Sequence, residues 1–152
     1  MFGTAQRAIN AYTNVGMETG VEAADPHKLI LMLYEGALLA LVEAKRSMAQ
    51  HEIAAKGKAL SKAIMIIEHG LKASLDVNAG GELGERLGAL YDYMAERLLQ
   101  ANLHNRVELI DEVSRLLTEL RGAWEQIRPE TVPAAQSRQP APPGQPGARV
   151  SR

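Results

Sequence analysis

The sequence predicts an all-α protein: an antiparallel four-helix bundle with a mobile N-terminal arm and a disordered proline-rich C-terminal tail. Hydrophobic residues make up 46% of the chain but aromatic residues only 4%, so the core must be built from aliphatic side chains and methionine. Apolar residues recur every three or four positions in four segments joined by short turns, which is typical of amphipathic helices packed as a bundle. We therefore expect an arm over residues 1–24, a bundle domain over 25–128 and a tail over 129–152.

The overall charge and the residue types argue against several classes of function. A formal net charge of −1 gives no basis for expecting a nucleic-acid partner or an anionic membrane. The chain has no cysteine, and this excludes a disulfide framework, a thiolate metal site and a cysteine nucleophile. Residues 1–24 lack the apolar run of a secretory signal, so the expected location is the cytoplasm.

The arm is polar, and its apolar positions are too sparse to predict a helix. These positions are Phe2, Ile9, Tyr12, Val15 and Met17. Tyr12 is the largest of these side chains and carries a polar hydroxyl, and two interpretations of its role stay open. It either rests on its own bundle as part of a tail, or belongs to an arm that covers a binding groove and leaves when a partner arrives.

The first predicted helix runs from Pro26 to about Ala49, with Asp25 as its N-cap. Three further helices are predicted over about 54–75, 82–101 and 106–127. The main apolar stripes assign four residues to folding: Ile64, Leu87, Leu117 and Trp124. Trp124, the single tryptophan, is expected to close one end of the core.

The stretch from Leu29 to Val42 poses the functional question, because only Glu35 and Gly36 within it are not apolar. One packed neighbour covers a single face of a helix, so an all-round apolar helix needs more cover than that. The stretch is too short to span a membrane, and we expect no membrane insertion. It either lies at the centre of the bundle or leaves part of its surface for another molecule.

No catalytic, metal or cofactor site is predicted. The four histidines are never three or four residues apart, and the Glu-x-x-His pair of helical di-metal sites does not occur. Phosphate-loop, dinucleotide and nucleophile-elbow motifs are missing as well. A helical enzyme using Glu35 as a proton donor remains an alternative, although such a residue more often emerges at the surface or pairs with a basic neighbour.

With no such site predicted, one indication of function remains: the helices carry more apolar surface than folding of the bundle requires. A groove between helices could receive an amphipathic partner helix through anchors spaced three and four residues apart. A structural homodimer that buries the same surface against itself is the alternative.

Several motifs together resemble the FliS family of flagellar secretion chaperones. They are the stretch from Val21 to Ala37, Lys62 to Ile67 followed by Leu75-Asp76, Leu90 to Met94 followed by Leu98 and Ala101-Asn102, and Trp124. The resemblance covers about Tyr12 to Ile127. The helix entry Ala23-Ala24-Asp25-Pro26 departs from the usual pattern but keeps capping chemistry, and the proline-rich tail is not part of the pattern.

The resemblance implies a cytoplasmic chaperone that binds the disordered C-terminal segment of flagellin, prevents premature polymerisation and delivers the client to the flagellar export gate. It implies no nucleotide or metal. The client would fold as helices on the hydrophobic surface. We expect contacts at Leu29, Ile30, Leu33 and Tyr34, at Ile66 and Tyr93 because they lie off their core stripes, and competition from the arm carrying Tyr12. Without client the chain could form a homodimer.

Overall fold

The computed structural model describes residues 2–16, 25–75 and 77–127. It contains helices α1 (Phe2–Asn14), α2 (Pro26–Ala49), α3 (Ile53–Met65), α4 (Val77–His104) and α5 (Val107–Glu125), and a π-helical segment (Ile66–Lys72) that continues α3. No strand is found in the described residues, and the predicted all-α class is confirmed. The predicted disordered tail, 129–152, lies outside the described residues, as does the end of the arm, 17–24.

Helices α2 to α5 form a ring in which α2 and α4 each pack against both α3 and α5. Neighbouring helices run in opposite directions. Lys56, near the start of α3, reaches Asn105 just after the end of α4, and Lys45, near the end of α2, pairs with Asp111 near the start of α5. The side chains at the centre of the ring are fully buried and mostly aliphatic: Leu41, Leu60, Ile67, Met94, Leu98, Ile110, Val113 and Leu117.

The ends of α2 and α5 are held together by a pair of reciprocal contacts, which we call the His27–Trp124 clamp. The Trp124 Nε1–H donates to the His27 carbonyl at 3.0 Å, and the His27 Nε2 lies 2.8 Å from the Trp124 carbonyl. The two rings stack with their centroids 5.1 Å apart. Trp124 therefore closes this end as predicted, next to the Asp25 cap, whose carboxylate accepts from the Lys28 amide at 3.2 Å.

The arm departs from its prediction, because residues 2–14 form a helix. The error came from counting only large apolar side chains. Ala8, Ala11 and Tyr12 lie on one face of α1 and are almost fully buried, and α1 packs against α2 and the π-helical segment. Alanine is the strongest helix former and lets a helix lie close to its neighbour. The mobility of the arm stays a prediction.

The second departure concerns Ile66, which was placed off the core stripe but is fully buried. In a π-helix hydrogen bonds run from residue i to i+5, so each turn holds an extra residue and the side chains rotate out of the 3.6-residue register. As a result the adjacent Ile66 and Ile67 both face the core. Met65, immediately before the segment, remains 45% exposed.

Asn105 ends α4 and also takes part in a contact with α3. Its backbone is left-handed, with φ at 52°, and this ends α4. Its side-chain oxygen accepts a hydrogen bond from Lys56 Nζ. The N-cap of α5 is Arg106, which makes no side-chain cap bond.

Two glycines of α4 give opposite predictions for alanine substitution. A Cβ on the buried Gly88 would lie 3.7 Å from Leu75 Cδ1, an ordinary contact. We expect Gly88→Ala to raise the free energy of unfolding by about 0.5–1 kcal/mol, because alanine restricts the unfolded chain and favours the helix. Gly81, with φ at 57°, interrupts the helical geometry, so Gly81→Ala is expected to lower it. Urea denaturation measures both; a loss of stability in Gly88→Ala would contradict the packing described here.

Candidate partner-binding surface

Helix α1 covers an apolar surface of α2 and the π-helical segment, which we call the arm seat and define by Met32, Leu33 and Gly70. Tyr12 is 3% exposed, and its hydroxyl lies 3.9 Å from the Met32 sulfur. Burial, with a smaller contribution from the Glu35 carboxylate, raises the pKa of Tyr12.

The closest approach in the arm seat occurs at Gly70. A Cβ at this position would lie 3.0 Å from Leu33 Cδ2 and 3.4 Å from Val15 Cγ1, tighter than side chains normally accept. Because Gly70 has no side chain, Val15, just after α1, and Leu33 of α2 can meet over the π-helical segment. At the other end of this contact the Arg7 guanidinium donates to the Ala73 carbonyl at 3.3 Å.

The structure brings together some of the sequence-predicted contact residues and separates others. Tyr12, Leu29, Leu33, Tyr34 and Ile66 are buried, Ile30 is half-buried and Tyr93 is exposed. Leu33 belongs to the arm seat and Tyr12 to the arm that covers it. A partner reaches the buried members only where a covering element moves away, and the binding role of all seven stays a prediction.

Tyr34 contributes a polar contact inside the core. Its hydroxyl lies 2.6 Å from the hydroxyl of Tyr91 on α4, and both side chains are buried. Burial raises the pKa of both phenols, most strongly that of Tyr91, where the neighbouring Tyr34 adds to the effect. This pair fixes α2 against α4 across the ring.

The raised pKa values predict a loss of stability in alkali. Above pH about 10 the phenols of the unfolded chain ionise, whereas the buried pair stays neutral, so the unfolded state binds fewer protons and is favoured as pH rises. We expect the free energy of unfolding to fall between pH 9 and about 11, and to fall less steeply in the double variant Tyr34→Phe/Tyr91→Phe. Urea denaturation across this range measures it, and equal slopes in the two proteins would contradict the assignment.

Tyr93 lies on a different face, between α4 and α5. Its hydroxyl donates to the Glu112 carboxylate, which also accepts from Arg97 Nε at 2.9 Å. The hydrogen bond from Tyr93, followed by that from Arg97, holds the pKa of Glu112 below its usual range. The Arg97 guanidinium lies 5.5 Å from the Tyr93 ring centroid. Tyr93 is therefore exposed as predicted but fixed by a polar network.

Sequence reasoning missed two exposed residues of α2, Leu39 and Val42, which are 70% and 64% exposed. They lie on the outward face of the helix, on a stripe that begins at Glu35 and ends at Arg46. Residues four, seven and eleven positions apart share one helix face. The charged residues at the two ends of this stripe, Glu35 and Arg46, could therefore have indicated that the stripe faces solvent. Part of the apolar stretch of α2 is therefore left uncovered by the described residues.

Glu35, the alternative proton donor, lies at the protein surface. Its carboxylate is exposed and pairs with Arg121 of α5 at 3.2 Å, as expected for a glutamate with a basic neighbour. Within the described ranges no three histidine, aspartate or glutamate side chains are grouped so that they could hold a metal ion. None of the described helices has the length and apolarity needed to cross a membrane.

These features define a class: a small helical protein whose own N-terminal helix covers an apolar surface of the helices that follow. A family model described as flagellar protein FliS matches residues 8–131. The chain belongs to this family of flagellar secretion chaperones.

Three relatives illustrate the similarity, and each carries the name flagellar secretion chaperone. The Salmonella typhimurium FliS is 52% identical over 122 residues, covering 80% of this chain and 90% of the relative. The Escherichia coli FliS is 44% identical over 122 residues, with the same coverage of both chains. The Pseudomonas aeruginosa FliSB is 43% identical over 123 residues, covering 81% of this chain and 97% of the relative.

Proposed function

We propose that this chain is a cytoplasmic export chaperone that binds the C-terminal segment of flagellin, prevents its premature polymerisation and delivers it to the flagellar export gate. The family supplies the class of activity, and the name shared by its members indicates a secreted flagellar client. The observation that carries the proposal is the arm seat, an apolar surface covered by a helix that has few other attachments.

In this mechanism α1 and the client compete for the arm seat. Tyr12 and its alanine neighbours occupy the surface when no client is bound, which keeps apolar side chains out of water. A disordered flagellin segment would replace α1 by folding as an amphipathic helix, and its ordering cost is offset by the apolar area it buries. Its own polymerising surface is hidden at the same time.

We assign each predicted contact residue a role in client binding according to whether it is already accessible or is covered by another part of the protein. Ile30 is already half-buried, and Leu33 lies beside Gly70 under the arm, so these two meet the client first. Leu29, Tyr34 and Ile66 are also buried but are not among the residues that define the arm seat, so we assign them to its support. Tyr93 marks a second contact on the α4–α5 face, reached by a client segment that continues beyond the seat.

A pull-down tests the proposal directly. We expect this protein to retain full-length flagellin and to lose it when the flagellin lacks its C-terminal segment. Leu83→Asp changes an exposed residue of α4 that is not part of the defined arm seat, and this variant is expected to keep binding full-length flagellin. Equal retention of both flagellins would overturn the assignment of the client segment.

The homodimer is distinguished by sedimentation of the client-free protein at low concentration. A monomer that binds flagellin supports the chaperone mechanism. A stable dimer that persists and binds no flagellin would replace it with the structural alternative.

A further inference from the structure

A cavity of about 320 Å³ opens where the turn between α2 and α3 meets the turn between α4 and α5. Its wall includes Ser47 and Met48 of α2, Ile53 and Lys56 of α3, and Asn105. Ser47 lies 14 residues beyond Leu33 on α2, which places the cavity about 21 Å from the arm seat. It is separate from the surface assigned to flagellin.

The cavity wall contains a buried cation that has no carboxylate partner among the described residues. Lys56 is 95% buried, since its relative exposure is only 5%. Its ammonium donates to the Asn102 carbonyl at 3.1 Å and to Asn105 Oδ1 at 2.5 Å, and both acceptors are neutral. An ammonium has three N–H donors, so these two acceptors leave one N–H for a further acceptor.

Carboxylates near this end of the bundle are paired with other cations. Glu52, in the same wall, pairs with Arg46 at 3.5 Å, and Asp111 pairs with Lys45 at 2.7 Å. Burying a cation is costly unless an anion or several hydrogen bonds compensate it. The arrangement is thus complementary to a carboxylate brought by another molecule.

Two further features favour an anion here. The first turn of α3 contains no acidic residue, and its N-cap, Glu52, makes no side-chain cap bond and pairs with Arg46 instead, so the amides at the positive end of the helix dipole face the same wall. The Ser47 hydroxyl is fully buried in that wall and has no hydrogen-bond partner among the described residues. A helix terminus, a lysine and an unpartnered hydroxyl therefore converge on one cavity.

Apolar side chains surround this polar centre. Ile53, at the first position of α3, is 75% exposed and lines the cavity together with Met48. Leu103 and Val107 flank Asn105 in the chain and are also exposed. An occupant with an acidic side chain next to apolar ones matches both parts of the surface.

We propose that this cavity is a second binding site, which takes an acidic side chain flanked by apolar residues on a peptide segment of a partner protein. The carboxylate accepts from Lys56, and the neighbouring apolar side chains rest on Ile53 and Met48. The site is independent of the arm seat, so the chain can hold this partner while a client occupies α2 and the π-helical segment.

The test is an NMR titration of the ¹⁵N-labelled full chain with acetyl-Leu-Glu-Leu-amide and, in parallel, acetyl-Leu-Gln-Leu-amide. We expect saturable shifts of the Ile53, Lys56 and Asn105 amides with the glutamate peptide. Binding of the glutamine peptide is expected to be about tenfold weaker, because a charge-assisted hydrogen bond is lost. Equal affinities, or shifts confined to other surfaces, would overturn the proposal.

Substitution of Ile53 provides a variant that keeps the fold. Ile53→Asp places an acid in the first turn of α3, which favours the helix and supplies Lys56 with its own carboxylate. Peptide binding is expected to fall at least tenfold, with the thermal midpoint retained, whereas Leu83→Asp, at an exposed aliphatic residue of α4, leaves binding unchanged. Undiminished binding by Ile53→Asp contradicts the site. Self-association of the peptide-free protein through the same amides would identify a second copy as the occupant instead.

Discussion

Deletion of residues 1–20 is expected to tighten binding of the flagellin C-terminal segment roughly tenfold while α2 to α5 stay folded. The factor follows from competition between α1 and the client for the arm seat. With the seat covered by α1 about 90% of the time, only about a tenth of the molecules can bind the client, and the apparent affinity is about tenfold lower. The four remaining helices keep their ring of contacts, since α1 packs on the outside of α2 and the π-helical segment. Isothermal titration with the flagellin segment measures the affinity, and circular dichroism measures the retained helix.

A point variant separates competition from other effects of truncation. Tyr12→Asp places a charge at a position that is 3% exposed, so it releases α1 without shortening the chain. Asn14→Ala changes an exposed position on the same helix and is the matched control. Tightening by the deletion and by Tyr12→Asp, but not by Asn14→Ala, supports the mechanism. Unchanged affinity in the first two removes the arm from it.

Replacement of Ile66 by alanine is expected to lower the free energy of unfolding by about 2–4 kcal/mol, the usual cost of removing a large buried aliphatic side chain. The expectation depends on the π-helical segment, which turns Ile66 fully into the core. Met65→Ala is the neighbouring control and is expected to cost less than about 0.5 kcal/mol, because Met65 is 45% exposed. Urea denaturation compares the two.

The outcome also decides how Ile66 serves client binding. If Ile66→Ala lowers stability strongly but the folded protein still binds the client with the same affinity, Ile66 supports the arm seat and does not contact the client. Equal costs for the two substitutions would show that the segment follows the ordinary α-helical register, with Ile66 turned away from the core.

The sequence predicted the helices of the ring well because their apolar stripes are long and their ends carry clear signals. Asp25-Pro26 marked the start of α2, and the Pro26–Ala49 helix agrees with its predicted bounds. Helix α4 begins at Val77, five residues before the predicted start at 82, but Gly81, with its positive φ, interrupts its helical geometry directly before residue 82. In both places local chemistry and tertiary packing favour the same structure.

The remaining errors arise where tertiary contacts override a local pattern. Helix α1 is stabilised by its seat, and its stripe is built mainly from alanines that a count of large side chains overlooks. The side chain of Ile66 cannot be oriented without knowing that the register changes at that residue. The buried contact between Tyr34 and Tyr91 joins residues 57 positions apart, and no periodicity shows such a pairing; the partner-binding role of Tyr34 stays a prediction.

The His27–Trp124 clamp has a mechanical consequence. The chain enters α2 at Asp25, immediately beside the clamp, and both contacts of the clamp cross to α5. Tension on the chain before Asp25 is therefore passed to a second helix instead of unwinding the first turn of α2. We therefore expect α2 to α5 to stay folded when α1 is pulled from its seat.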